Sequence, residues 1–411
     1  MAKILVLYHY FHPDDVVSAQ LFTGLCEGLR DRGWQVEAIS SNRGHCDDTQ
    51  KFSARENWNG IEVRRLWRPR FRQSSRSGRL LNAAWMICAW SLLAFRKKHI
   101  PDVLVVGTDP VLSVLVAIFW KMIRPRMRIV HWCFDLYPEA AIADGVFRDG
   151  SFMVRIFQYL LRLAYKNCAM IVDIGSCMRK KLEVYESGAQ EATLTPWALA
   201  EPRNALQPDS SERETIFGDP RLGLMYSGNF GRAHSYDLIL QLMRRLRGEN
   251  INLALSVRGN CVDLLQSAVL LQDDNVKFVP FAPQERLWER LSAADIHIVS
   301  LRERWTGTVV PSKFFGALAI GRPVIFSGSP DSAIAKWIKE YRVGWVLQPE
   351  TLQAVAAELE KLAVSRENMR GIFEHCHNIY QEHFSKKYIL DRWDKELRLL
   401  LQEMKNVRWK R

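Results

Sequence analysis

The run from Asp295 to Phe326 constrains this chain most, because it reads as strand, loop, helix and strand without interruption. Residues 295–301 (D-I-H-I-V-S-L) alternate apolar positions as a strand does, and residues 302–310 form a loop carrying Thr306, Gly307 and Thr308. Pro311 suits a first helical turn, where its missing N–H would have had no intrahelical partner, and Gly321 suits the exit because it tolerates positive φ. Residues 323–326 are then the next strand. Such a unit sets free backbone N–H groups at the carboxyl edge of a parallel sheet, where the helix dipole favours an anion. Ser312 and Lys313 fall in the first turn and offer a hydroxyl and an ammonium to a phosphate. The same pair also reads as a capping serine and a solvated lysine; the length and order of the stretch favour the phosphate.

The same grammar recurs along the chain. Residues 4–8 read as a buried strand and residues 9–15 (H-Y-F-H-P-D-D) as a polar, aromatic loop; Phe22, Leu25, Cys26 and Leu29 follow at helical spacing, Gly33 stops the helix, and residues 34–39 resume a strand. This is the opening a doubly wound sheet requires, with residues 9–15 at its carboxyl edge. Residues 43–76 are irregular apart from a strand or hairpin arm at 60–65. Strands at 102–106 and 128–134 flank a helix over 111–123, and the second delivers Asp135-Leu136-Tyr137-Pro138-Glu139 to the same edge. Asp135 and Glu139 could do acid–base work or hold substrate hydroxyls, or equally be an N-cap and a first-turn glutamate favoured by the dipole. A helix over 152–166, a strand at 170–174 and a helix over 176–185 complete this half.

A run containing Pro, Asn and Ser at 196–211 reads as a linker. A second series follows, with strands at 222–226, 252–257 and 276–280, helices ending at 245 and spanning 287–294, then the organising stretch, a helix over 352–362 and a long basic helix from 386 to about 404. Two α/β halves imply two Rossmann-like domains with a cleft between them.

The 411 residues allow two or three domains, and 48% hydrophobic with 25% charged residues is the composition of a soluble globular protein. Eight cysteines (Cys26, Cys46, Cys88, Cys133, Cys168, Cys177, Cys261 and Cys376) are scattered without a C-x-x-C pair, which fits reduced thiols in the cytoplasm. The chain enters directly on a strand, so no signal peptide is expected. Much of the net charge of +12 gathers at Arg64, Arg65, Arg68, Arg70, Arg72, Arg76 and Arg79, with Arg96, Lys97 and Lys98 beyond an apolar run at 80–95. Such a patch attracts nucleic acid, anionic lipid or a phosphorylated substrate, although no zinc-finger, RNP or basic-zipper pattern is present. The apolar run is short of the about 20 residues a membrane span needs. Trp85 and Trp90 between basic flanks suit a helix lying at a membrane interface, and a buried helix with wet flanks suits the run equally.

Three loops of the second half converge on one edge: residues 228–234, with Gly228, Asn229, Gly231, Arg232 and His234; residues 258–260, with Arg258 and Gly259; and residues 306–313, with Thr308, Ser312 and Lys313. Glycines let a backbone approach a ligand closely, and the cations suit a diphosphate. Stabilising a diphosphate as it leaves is a task for preorganised cations and N–H groups.

The segments S-G-N-F-G-R-A-H-S-Y-D, V-P-F-A-P, A-A-D-I-H-I-V-S-L and V-P-S-K-F-F-G-A-L-A-I-G-R-P-V-I together resemble the donor half of glycosyltransferase family 4, the group 1 glycosyltransferases. F-H-P-D-D-V-V-S-A-Q and D-L-Y-P-E resemble its bacterial exopolysaccharide, O-antigen and colanic-acid branch. The resemblance implies an α/β GT-B fold: a Rossmann-like acceptor domain over 1–200, a nucleotide-sugar domain over 201–380, and a helix over 381–411 returning to the first domain, with Trp393 and Leu397 as packing residues. It implies retaining, hexosyltransferase-type transfer from a nucleotide diphosphate sugar to an acceptor hydroxyl, without metal or other cofactor. Arg232 and Lys313 would hold the diphosphate, with hydrogen bonds from Ser312 and Gly231. Asp135 or Glu139 would orient hydroxyls. Where many relatives carry two glutamates eight positions apart, this chain has Thr308 and Gly316. A lysine that often follows the arginine is absent, and His234 lies nearby, either as a phosphate donor or as an ordinary exposed histidine. Phe134 replaces a frequent histidine, with His131 on the opposite side of the strand.

Arg68, Arg72, Arg76, Trp85 and Trp90 would form the acceptor or membrane side, facing a lipid-linked glycan, with the protein cytoplasmic or peripheral on the inner face of the plasma membrane and no nucleic-acid partner. Alternatives are a catalytically silent nucleotide-sugar-binding subunit and an epimerase or phosphorylase of the same fold. A dinucleotide oxidoreductase is disfavoured because neither half opens with G-x-G-x-x-G.

Overall fold

The computed structural model describes residues 1–45, 49–73, 75–96, 100–199, 201–218, 221–282, 286–365 and 369–408. Cys46, Lys97, Lys98 and the side chain of Arg76 lie outside the described residues. The chain forms two compact units, one of Met1–Thr195 with Ile389–Arg411 and one of Pro196–Tyr388.

The first unit runs β1 (Lys3–Leu7), α1 (Val17–Asp31), β2 (Gln35–Ser41), β3 (Arg55–Trp58), β4 (Ile61–Leu66), α2 (Arg76–Leu92), β5 (Val103–Gly107), α3 (Val116–Ile123), β6 (Arg128–Trp132), α4 (Glu139–Ala143), α5 (Phe152–Lys166), β7 (Met170–Asp173), α6 (Ser176–Glu183) and β8 (Gln190–Thr193). Its strands pair in the order β3-β4-β2-β1-β5-β6-β7-β8, parallel except for the β3–β4 hairpin. The central strands β1 and β5 are buried along their whole length, as apolar, β-branched strands covered on both faces must be. At the end of β5, Gly107 is obligatory in size, because a Cβ there would collide with the stacked rings of Tyr8 and Phe22.

The second unit runs α7 (Ser210–Phe217), β9 (Leu222–Asn229), α8 (Asp237–Arg245), β10 (Ile251–Arg258), α9 (Val262–Ala268), β11 (Val276–Phe278), α10 (Leu287–Ser292), β12 (Ile296–Ser300), α11 (Lys313–Ala319), β13 (Val324–Ser327), α12 (Ala333–Tyr341), β14 (Gly344–Leu347), α13 (Leu352–Val364) and α14 (Met369–His383). Its strands pair in the order β11-β10-β9-β12-β13-β14, all parallel. The final helix, α15 (Lys386–Arg408), belongs to the first unit from Ile389 onward. There Trp393 and Leu397 are fully buried, the Trp393 ring meets Trp132 edge-on at 5.1 Å, and Trp34 Nε1 donates to Asp394 at 2.6 Å.

Several elements differ from the sequence reading for local reasons. The helix expected over 111–123 begins at Val116 after a 3-10 turn, because Leu112 adopts a left-handed conformation (φ 66°) that breaks the helical path. Helix α7 starts inside the stretch read as linker, where the Asp209 side chain accepts from Glu212 N at 2.7 Å and caps it. The organising helix starts at Lys313 rather than Pro311, with Ser312 at the N-cap position. Arg322, in the G-R-P step after it, is fully buried and donates to the carbonyls of Ala294, Leu206, Ser292 and Ile320 at 2.7–3.1 Å, with its guanidinium 3.9 Å from the Phe373 ring centroid. Burial pulls its pKa down to about 10.

The basic cluster and the apolar helix are corrected most. Arg68 is fully buried, with its backbone N–H bound to Asn42 Oδ1, so it cannot face a membrane or an acceptor. Trp90 is also fully buried, and its carbonyl accepts from Trp120 Nε1 of α3. Arg65 pairs with Glu56, while Arg64 and Arg96 flank Glu37. Arg72 and Trp85 remain exposed.

Candidate active site

At the carboxyl edge of the second sheet, Lys313 joins loops that are distant in sequence. β9 and β12 are neighbours in the sheet, so the start of α11 after β12 falls beside the end of β9. Lys313 is half-buried; its Nζ donates to Asn229 O at 2.8 Å and lies 5.1 Å from the Tyr226 ring centroid. Gly228 (φ 117°) makes room for it, since a Cβ there would stand 2.8 Å from Lys313 Cε. Burial pulls the Lys313 pKa down to about 8. A diphosphate would raise it again by opposite charge, which makes the ammonium a cation whose charge the ligand reinforces.

The β10 loop closes against the β9 loop in the same way. Phe230 N donates to Arg258 O at 2.7 Å, and a Cβ on Gly259 (φ 132°) would press on Asn229 Oδ1 and Phe230 O. Arg258 is exposed and lies over the exposed Phe281 ring, 4.6 Å from its centroid. Gly231 and Arg232 follow at the tip, Arg232 exposed to solvent. The Ser312 side chain makes no capping hydrogen bond, and Ser312 is exposed, so its hydroxyl is not committed to the helix. The structure thus brings together the Gly228–Asn229–Gly231 turn, Arg258–Gly259 and Ser312–Lys313.

Three expected donor residues behave differently. His234 is half-buried, not an ordinary exposed histidine: its Nδ1 donates to Ser300 O at 2.8 Å, and desolvation, then Lys313 nearby, lower its pKa to about 4. The neutral ring therefore presents Nε2 as an acceptor, suited to a hydroxyl and not to a phosphate oxygen. Thr308 is 1% exposed and its hydroxyl donates to Trp305 O at 2.7 Å, so it offers a ligand no side-chain group. Gly316 is the opposite case: a Cβ there meets nothing within 4 Å.

In the first unit, Asp135 lines a narrow pocket with Thr108, His131, Tyr137 and Tyr165 beyond the ends of β5 and β6. Asp135 keeps contact with solvent, yet the wall packed behind it, and then the Asp109 carboxylate, push its pKa up to about 6. Glu139 is not its partner: Glu139 Oε1 accepts from the buried Tyr185 hydroxyl at 2.5 Å, so this carboxylate is tied into the helical layer and not free at the edge. His131 donates through Nδ1 to Val106 O at 2.9 Å and stays neutral, its pKa lowered to about 4 by burial. His9 lies in the loop expected at this edge, but the sequence reading did not single out its pairing with Asp109, whose Oδ1 stands 3.1 Å from His9 Nδ1. Both follow directly on strands that are neighbours in the sheet, and that topological signal could have found them.

Two α/β units built on largely parallel sheets, the second with a basic, glycine-lined loop cluster at its carboxyl edge, have the make-up of the GT-B type of glycosyltransferase. The sequence model of the Glycosyl transferase 4-like domain matches residues 18–196, and that of the Glycosyl transferases group 1 family matches residues 208–381. The chain belongs to this glycosyltransferase family. It is 22% identical over 315 residues to the probable glycosyltransferase WbjE of Pseudomonas aeruginosa, covering 74% of this chain and 76% of that one. It is 21% identical over 155 residues to the putative colanic acid biosynthesis glycosyl transferase WcaI of Escherichia coli K12, covering 37% and 38%. Among solved structures, sucrose-phosphate synthase of Thermosynechococcus elongatus superposes with a TM-score of 0.71 at 16% identity, over 98% of this chain and all of that one.

Proposed function

We propose that this glycosyltransferase moves a hexose from a nucleotide diphosphate sugar to a hydroxyl of a lipid-linked glycan during assembly of a bacterial surface polysaccharide, with retention and without a metal. The observation that carries the reading is Lys313, seated where three loops meet and held by Asn229 O with its charge only lightly committed. The polysaccharide setting rests on the likeness to the putative colanic acid biosynthesis glycosyl transferase and on the D-L-Y-P-E stretch.

In the reaction the sugar–phosphate bond breaks and negative charge grows on the departing diphosphate, where Lys313 and Arg232 stabilise it. The acceptor oxygen bonds to the anomeric carbon on the face the diphosphate leaves, and its proton passes to a departing phosphate oxygen. No strong protein base is needed. Asp135, as a carboxylate, accepts a hydrogen bond from an acceptor hydroxyl, and His234 Nε2 accepts one from a donor hydroxyl.

The test is thermal stabilisation of the protein by UDP, GDP, ADP and CMP, since selective binding raises apparent stability by mass action. A shift with one nucleotide that Lys313→Ala abolishes supports the donor site; no shift with any of them removes it. Metal independence is read from turnover in excess EDTA. The buried Thr308 and the side-chain-free Gly316 favour one second reading, a subunit that binds nucleotide sugar without turning it over. Tight binding with no transfer to any lipid-linked acceptor would select it.

A further inference from the structure

We propose that α2, α3 and α5 of the first unit form a single interfacial face that lies flat on an anionic lipid surface. The inference deepens the lipid-linked acceptor reading and rests on it for its purpose. Helix α3 packs between α2 and α5, so the three make one layer on the sheet.

Each helix exposes large apolar side chains on its outer side besides those it buries on its inner one. On α2 and the turn that extends it, Leu81, Trp85, Leu92 and Phe95 point outward at helical spacing, with Ala84 and Cys88 between them. The opposite stripe, Met86 and Trp90, is fully buried. The stretch Ser77–Phe95 is long and apolar enough to cross a membrane, but its inner stripe is anchored in the core of the unit, so it lies on a bilayer rather than through it. On α3, Phe119 and Met122 are exposed, Met122 to 74%. Helix α5 turns Phe152, Ile156, Tyr159 and Leu163 outward, Phe152 to 77%, and a soluble helix normally carries polar residues there.

The charges around these residues have one sign. No Asp or Glu occurs between Glu62 and Asp102, between Asp109 and Asp135, or between Asp149 and Asp173, the three segments that contain α2, α3 and α5. Arg72, Arg79, Arg126, Arg155, Arg162 and Lys166 in these segments are exposed. Long basic side chains of this kind can cover apolar surface with their stems and keep their charge at the polar boundary. A second copy of the chain would bring the same cations against themselves, whereas anionic headgroups neutralise them and hydrocarbon takes the aromatic side chains.

The helices of a β-α-β crossover run antiparallel to their strands, so the N-terminal ends of α2 and α5 approach the carboxyl edge that carries Asp109 and Asp135. A lipid-anchored acceptor lying in that surface would present its head to this edge.

The experiment is co-sedimentation of the full chain with vesicles of phosphatidylcholine alone and of phosphatidylcholine with phosphatidylglycerol, at low and high salt. The wild type is expected to bind the anionic vesicles and to keep part of its binding at high salt. The double variant Phe152→Ser/Tyr159→Ser is expected to lose about tenfold or more in partitioning through lost apolar burial, with unchanged melting temperature. Its nucleotide-induced stabilisation is expected to match wild type, which separates this face from the donor site. Absence of wild-type binding to anionic vesicles, or equal binding by the variant, overturns the proposal. So does a wild-type dimer in sedimentation velocity that the variant converts to monomer, which would assign the face to a second copy.

Discussion

Lys313 and Asn229 meet across 84 residues of sequence, the lysine ammonium donating to the asparagine carbonyl at 2.8 Å. The lysine is therefore already extended toward the β9 loop before a ligand arrives. Little side-chain entropy remains to be lost on binding.

Lys313→Ala removes that cation while cutting away a half-buried charge the fold disfavours. Turnover is expected to fall by about two orders of magnitude or more, the cost of losing one preorganised transition-state partner. Melting temperature at neutral pH is expected to hold or rise. A variant with full turnover, measured with saturating donor, removes Lys313 from the mechanism.

The lowered Lys313 pKa sets a pH dependence with a definite sign. The folded protein without ligand loses this proton near pH 8, whereas an unfolded lysine keeps it to its ordinary value, so the fold gains stability as pH rises through that window. Nucleotide binding runs the other way, because the diphosphate needs the ammonium. Affinity is expected to weaken about tenfold per unit above pH 8, with uptake of about one proton per nucleotide bound. Calorimetry in buffers of different ionisation enthalpy measures that uptake, and a flat affinity between pH 7 and about 9.5 would contradict it.

Thr308 and Gly316 stand where the family resemblance implies two glutamates, and the structure separates them. Gly316→Glu has open space and replaces a helical glycine, so it is expected to stabilise the protein by up to about 1 kcal/mol. If its carboxylate reaches a bound nucleotide, the stabilisation given by that nucleotide rises too. Thr308→Glu forces a carboxylate into a buried site and is expected to lower the melting temperature by several degrees. Scanning calorimetry of the two variants with and without nucleotide reads both effects.

Asp135 is held near pKa 6, so its carboxylate form is lost as pH falls through that value. Acceptor turnover is expected to show an acid limb with a midpoint near 6 that disappears in Asp135→Asn, whose residual rate is lower and flat. The fold disfavours the ionised form, so Asp135→Asn is expected to be at least as stable as wild type at pH 7 to 8, with the gain vanishing below the unfolded carboxyl value.

Arg322→Leu tests a cation held in the interior of the second unit, in the G-R-P step after α11. Its guanidinium serves four carbonyls in the interior, and their loss is expected to cost about 3 kcal/mol or more in chemical denaturation. A change confined to nucleotide affinity, with stability intact, would contradict this structural role.

What the sequence made legible was the order of elements and the edge where loops converge. The helix at Phe152–Lys166 and the meeting of the β9, β10 and α11 loops follow from periodicity and β-loop-α order alone. Facing was harder to read. Helix α2 is apolar on both sides, so amphipathicity gave no indication of which tryptophan points inward. Five residues at 3.6 per turn put Trp85 and Trp90 about 140° apart, however, so they could not share a membrane face. The arginine run hid Arg68 in the same way, since a buried cation looks like its exposed neighbours until the enclosing chain is known. Strand β8 was missed because Gln190–Thr193 is a short polar edge without an apolar alternation to detect.

The placement of Trp393 bears on how the protein is made. Its ring fills the first unit's core against Trp132, and Leu390 of the same helix fills the space left by Gly28. A ribosome that has delivered Met1–Thr195 has therefore synthesised a sheet with an unfilled interior. That unit waits, through translation of the whole second unit, for the residues that complete it.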